Sequence, residues 1–270
     1  MDDTRKQREH KTWEELDITD NFIFCHVMRD EKLCKELLER LLSIEIDRIE
    51  YLNSEQEFDI DYDAKSVRLD VYVKDSNRVF DSEMQTKVNK HIPKRMRYYQ
   101  AIMDMDILTK GKLYSDLKES YILFICTNDP LGEKLPKYTI ENRCVECPNV
   151  NFDDGTHRIL YNAEAYINET NEKIKDILGY IDTGKTESEF TKQLEESVNK
   201  VKSNGEWRRK YMSFDMILME EKQEAREEGR EEGSYSTKIE FARTMLSDGE
   251  SLDKIQRYTH LSLAEIQALQ

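Results

Sequence analysis

The chain has 270 residues, 36% of them charged and 38% hydrophobic, with only 9 Gly and 4 Pro. It is long enough for a folded domain of roughly 100–200 residues plus an appendage, and it is neither collagenous nor of low complexity. Its 41 Lys and Arg stand against 56 Asp and Glu, a net charge of −15, so any attraction to nucleic acid must come from a local patch rather than from the whole molecule. Five cysteines, an odd number, make no disulfide framework. The N-terminal stretch has no apolar run of signal-peptide or membrane-spanning length. These features predict a cytoplasmic protein with no membrane partner.

After a polar leader, residues 20–43 carry Phe22, Ile23, Val27, Leu33, Leu37, Leu38 and Leu41 at helical spacing, broken around Arg29-Asp30-Glu31, which predicts two helices. Residues 44–63 are acidic and only partly strand-like. Residues 67–74 (VRLDVYVK) and 79–85 (VFDSEMQ) alternate around Asp75-Ser76-Asn77-Arg78 and predict a β-hairpin. Helical spacing returns over 91–108. The apolar run 121–126 (YILFIC) predicts a buried strand stopped by Asn128-Asp129-Pro130, and a strand over 158–161 follows the Asp154-Gly155 turn. From about residue 162 the pattern is helical. Residues 205–233 are dominated by charge, and 239–246 read as a short amphipathic helix ending at Asp248-Gly249. Two shorter helical segments come after it, the last opened by Ser262 and Glu265 as a capping box. No internal repeat is present.

Side chains alternate along a strand, so Arg68, Asp70, Tyr72 and Lys74 share one face, and Val79, Asp81, Glu83 and Gln85 share another. A tight turn at Ser76-Asn77 sets a register with Phe80 opposite Val73, Ser82 opposite Val71, Met84 opposite Leu69 and Glu83 opposite Asp70. Two facing carboxylates repel each other unless something positive lies between them. Mg²⁺, with Mn²⁺ as an alternative, suits such a pair: it takes one or two carboxylates with waters and substrate phosphates, polarises a phosphodiester and generates the attacking hydroxide. Gln85 lies on the same face and would orient that water or a phosphate oxygen. By pattern alone, the hairpin also reads as an amphipathic surface ribbon with a solvated charged face.

RLDVYVKD followed by VFDSEMQTK resembles the Rpn family of recombination-promoting nucleases or transposases, within the PD-(D/E)XK nuclease superfamily. ITDNFIFCHVMRDEKLCKELLERLL, KRMRYYQAIMDMDILTKGKLYSDLKESYILFICTNDPLG, ENRCVECP, DGTHRILYN and EWRRKYM carry the likeness further, in the same order, over residues 16–233. The resemblance implies an α/β fold, a restriction-endonuclease-like mixed β-sheet flanked by helices with a helical C-terminal extension. It implies a metal-dependent DNA endonuclease linked to recombination or mobile elements, with Asp70 and Glu83 as metal ligands. It sets Gln85 where the wider superfamily has a lysine, and makes Asp20 on the first helix a candidate acidic partner, for which an N-cap role is equally simple. Without that lysine the site lacks a cation unless Lys87 reaches in. A catalytically weak DNA-binding or interaction module and a phage-defence nuclease are the competing readings.

The block after the hairpin is locally basic, with Lys87, Lys90, Lys94, Arg95, Arg97, Lys110 and Lys112 against Asp104 and Asp106. Lys94, Arg95, Arg97 and Tyr98 are suited to a DNA backbone. If Tyr98, Ile102 and Met105 form the buried stripe of this helix, its basic face is merely solvated. Cys144 and Cys147 have zinc-like spacing without a second ligand pair. No Gly-rich phosphate loop is present, and His26, His91 and His157 have no triad partners in sequence. The expected organisation is a nuclease-like domain over 1–205, a charged linker helix over 206–233 and a small helical tail over 234–270. That tail, resembling a helix-turn-helix, would touch DNA or join two copies into a homo-oligomer.

Overall fold

Asp30 divides the first apolar stretch by capping its second helix: the Asp30 carboxylate accepts from the backbone N–H groups of Lys32 and Leu33 at 3.0 and 3.2 Å. The result is α1 (Asn21–Val27) and then α2 (Glu31–Leu42), the two expected helices. The computed structural model describes residues 11–58, 67–150 and 152–269. The start of the polar leader and the end of the acidic stretch 44–63 lie outside the described residues.

Three strands, β1 (Tyr51–Phe58), β2 (Val67–Lys74) and β3 (Arg78–Gln85), form an antiparallel meander. The hairpin turn is held by Asp75, whose carboxylate accepts from the Asn77 and Arg78 backbone N–H groups. Its register pairs Val71 with Ser82 and Val73 with Phe80, as the turn chemistry dictates. Pro93 in the first turn starts α3 (Ile92–Ile107), which crosses to β4 (Glu119–Cys126), parallel to β3. β5 (Lys137–Ile140) pairs antiparallel with β6 (Thr156–Asn162), and β6 lies parallel to β4. The sheet is thus mixed, with order β1-β2-β3-β4-β6-β5.

Helices cover both faces. On one, Met96, Ile102, Met103 and Ile107 of α3 pack with Tyr72, Val79, Ile122, Phe124 and Leu160. On the other, Val71, Val73, Phe80, Leu123 and Ile125 are buried, and the Tyr161 hydroxyl donates to the Leu41 carbonyl at the end of α2. α4 (Glu172–Thr183) contacts α2, and α5 (Glu189–Lys202) contacts α1. The hairpin is therefore no solvated ribbon, because its polar face lies under α3. The stripe on α3 also differs from the one expected: Tyr98 and Met105 are exposed, while Met96, Tyr99 and Met103 are buried.

The described structure divides into two compact units, Met1–Arg208 and Arg209–Gln270. A single helix of 43 residues, α6 (Gly205–Ser247), contains both the charged stretch and the amphipathic segment, which sequence reading had separated. In the second unit its last turns, α7 (Leu252–Thr259) and α8 (Leu263–Gln267) enclose Ala242, Met245, Ile255, Leu261 and Ile266. Gly249, at φ 77, permits the reversal after α6. The Ser262–Glu265 capping box forms, with the Ser262 N–H donating to Glu265 Oε2 at 2.7 Å and the Glu265 N–H to Ser262 Oγ at 3.3 Å. So small a core tolerates little loss. Ile255→Ala, at about 2–5 kcal/mol for a buried large-to-small change, is expected to abolish amide-exchange protection in α7 and α8 while β2–β4 keep theirs. Among the described residues no helix is long and apolar enough to cross a membrane.

Candidate active site

The ladder between β2 and β3 ends at Val71 and Ser82, yet β2 stays paired with β1 as far as Val67 and β3 with β4 as far as Gln85. The sheet therefore forks at the next pair, Asp70 and Glu83, which face each other as the register requires. In the fork their carboxylates take over as backbone acceptors. The Asp70 N–H donates to Glu83 Oε1 at 3.0 Å, and the Met84 N–H donates to Asp70 Oδ2 at 3.2 Å. Each carboxylate is fixed by the opposite strand, and both are buried, with Asp70 5% and Glu83 3% exposed. From α1, the Asn21 side chain donates to the Asp70 carboxylate, and Cys25 Sγ lies 3.4 Å from the Asp70 carbonyl oxygen.

Sequence reading passed over Asp81. It lies on the same face as Glu83, is completely buried, and neither of its carboxylate oxygens receives a hydrogen bond from a described donor. Its polar neighbour is the Glu83 carboxyl. Burial pushes all three groups up, and carboxylate repulsion adds to it at Glu83 and Asp81. Asp70 rises through burial, opposed by Asn21, the Met84 N–H and nearby arginines; Glu83 rises through burial and the charge of Asp70, opposed by the Asp70 N–H and Arg95; Asp81 stands well above the usual carboxylate range through burial and the charges of Glu83 and Asp70. The fork thus gathers three buried carboxyl groups whose charged forms burial disfavours. Protons or a cation relieve it.

Arg95 brings a cation of the protein itself to the fork. Arg95 on α3 places Nη2 3.2 Å from Glu83 Oε2 and 2.9 Å from the Tyr99 hydroxyl, and Nη1 2.8 Å from Gln85 Oε1. Its guanidinium carbon lies 5.1 Å from the centroid of the Phe124 ring. Gln85 is committed at both ends, since its Nε2 donates to the Lys87 carbonyl at 2.7 Å. It therefore holds Arg95 rather than presenting a free amide to water, and the Lys87 side chain is exposed. Asp20 stands elsewhere: its carboxylate pairs with Lys11 at 2.8 Å and accepts from the Asp17 N–H, and the α1 residue bonded to Asp70 is its neighbour Asn21. Lys94, Arg97 and Tyr98 lie on the exposed side of α3. Farther along, Tyr72 and Lys74 bind Asp106 at 2.9 and 2.6 Å, so α3 is tied to the hairpin at both ends.

Among the described residues no group of three or more His, Cys, Asp or Glu side chains is arranged to hold a metal ion. Mg²⁺ demands less than that: one or two carboxylates, completed by water and phosphate oxygens, suffice. Asp70 and Glu83 are hard oxygen donors whose charges burial opposes, so a divalent cation fits their chemistry.

The mixed sheet, its helices on both faces and the helical C-terminal extension together make a restriction-endonuclease-like fold. Over residues 21–239 the sequence matches the PD-(D/E)XK nuclease family transposases, and the chain belongs to that family. No curated protein and no solved structure matches it.

Proposed function

We propose that this chain is a metal-dependent endonuclease that hydrolyses phosphodiester bonds in DNA, in the recombination-linked, Rpn-like branch of its family. The observation that carries this reading is the fork, where Asp70 and Glu83 face each other at the break in the sheet and would hold Mg²⁺ or Mn²⁺. A cation held there supplies Lewis-acid polarisation of a phosphate oxygen and an acidified water. The Met84 N–H and Asn21 keep the Asp70 carboxylate oriented, and the Asp70 N–H does the same for Glu83. Burial keeps bulk water from both. Lys94, Arg97 and Tyr98 on the outer side of α3 give the strand a local cationic surface within a chain of net charge −15. A reducing cytoplasm belongs to the same reading, supported by five free thiols.

The test is incubation of purified protein with supercoiled plasmid, and in parallel with RNA of matching sequence, in Mg²⁺, in Mn²⁺ and in EDTA. Nicked and then linear plasmid is expected with either metal and none in EDTA, with activity returning when Mg²⁺ is added in excess. Folded protein that binds plasmid and leaves it intact in both metals would favour the interaction-module reading. Cleavage confined to RNA would keep the chemistry and overturn the substrate.

A further inference from the structure

Resting on the nuclease reading, we infer that Arg95 is a catalytic residue, the fixed cation that stabilises the reacting phosphate, and that Gln85 and Tyr99 are the positioning residues that hold it. The hydrolysis itself demands such a group. Water oxygen bonds to phosphorus, one P–O ester bond breaks, and the proton given up by the water is matched by one taken up by the departing oxygen. Between those events the phosphoryl oxygens carry additional negative charge, and preorganised donors aimed at it lower the barrier.

Several features separate Arg95 from an arginine that merely neutralises a buried acid. Its contact with Glu83, at 3.2 Å, is the longest of its three hydrogen bonds; the shorter two go to the neutral Gln85 amide and Tyr99 hydroxyl. Neutral partners fix the guanidinium without cancelling its charge. The aromatic rings of Tyr99 and Phe124, with centroids 5.4 and 5.1 Å from its central carbon, hold its position further. Of the five N–H donors of a guanidinium, the Nε–H and one Nη1–H have no acceptor among the described residues. The Arg95 side chain is 31% exposed where that of Glu83 is 4% exposed, so a phosphate arriving at the fork meets Arg95 before it meets the carboxylate. The planar fork of donors matches two phosphate oxygens at once.

The test measures plasmid cleavage in Mg²⁺ for wild type, Arg95→Gln, Arg95→Ala and the double variant Gln85→Lys/Arg95→Gln, with Mn²⁺ affinity and thermal unfolding measured on each. Arg95→Gln is expected to lose about 10²–10³-fold in kcat, the scale for removing one transition-state donor, while Mn²⁺ affinity is kept or improved because Glu83 loses a competitor. Free guanidinium at millimolar concentration is expected to raise the rate of Arg95→Ala saturably. The double variant, with an ammonium brought to the same corner, should recover activity over Arg95→Gln. Wild-type rates in Arg95→Gln would overturn the inference. So would a loss of Mn²⁺ binding in step with activity and without guanidinium rescue, since that pattern marks a residue that only shapes the metal ligands. No cleavage by wild type would overturn the nuclease reading itself, and this inference with it.

Discussion

Asp70→Asn and Glu83→Gln are each expected to lower metal-dependent cleavage by on the order of a thousandfold or more, an effect of the size seen when a group stabilising the transition state is lost. The substitutions are chosen for shape. Asn at 70 still offers an oxygen to the Met84 N–H, and Gln at 83 still offers one to the Asp70 N–H, so the fork keeps its backbone clasps. What changes is the charge that attracts a cation. Because each native carboxyl is pushed up by burial, removing one also relieves the folded protein, and thermal unfolding without metal should be unchanged or shifted upward. Cleavage at the wild-type rate by either folded variant would remove that residue from the site.

Asp81→Asn is expected to stabilise the metal-free protein by about 1–3 kcal/mol near neutral pH, the penalty typical of a buried polar group left unsatisfied. The native side chain is completely buried without a described donor, whereas an asparagine amide would donate to Glu83. The pH dependence arises from the raised carboxyl groups. Above the ordinary carboxylate range the unfolded chain has released protons that the folded chain still binds at Asp81 and Glu83, so stability declines as pH rises toward the raised folded values. The advantage of Asp81→Asn over wild type should therefore widen as pH rises above the ordinary carboxylate range in thermal unfolding with EDTA. A gap that narrows as pH rises would mean that Asp81 is ionised and satisfied in the folded protein.

The hairpin register was legible because period-two alternation and the Asp75–Arg78 turn leave one pairing that buries Val71, Val73 and Phe80 together. That register alone brought Asp70 opposite Glu83. The fork was not legible, since it depends on β1 drawing β2 away while β4 keeps β3, and both partners are distant in sequence. Asp81 drew no role for a related reason: only the placement of α3 decides that its face is covered. On α3 itself the choice between adjacent Tyr98 and Tyr99 turned on helical phase. Ile92, Met96, Tyr99, Met103 and Ile107 fall at spacings of four, three, four and four, a better stripe than the one through Tyr98 and Met105. Gln85 was read as a group facing substrate because its partner Arg95 is ten residues away on another element. β5 is four residues at a sheet edge, too short for alternation to announce it.

A cation site at the fork is tested most directly by calorimetric titration of metal-free protein with Mn²⁺ at neutral pH, comparing wild type with the Asp70→Asn/Glu83→Gln double variant in buffers of different ionisation enthalpy. Saturable binding by wild type is expected, with release of protons as carboxyl groups kept protonated by burial give them up to the metal. The double variant should bind no Mn²⁺ in that range. Equal binding by the two proteins, or no uptake by wild type, would contradict a metal centre at Asp70 and Glu83.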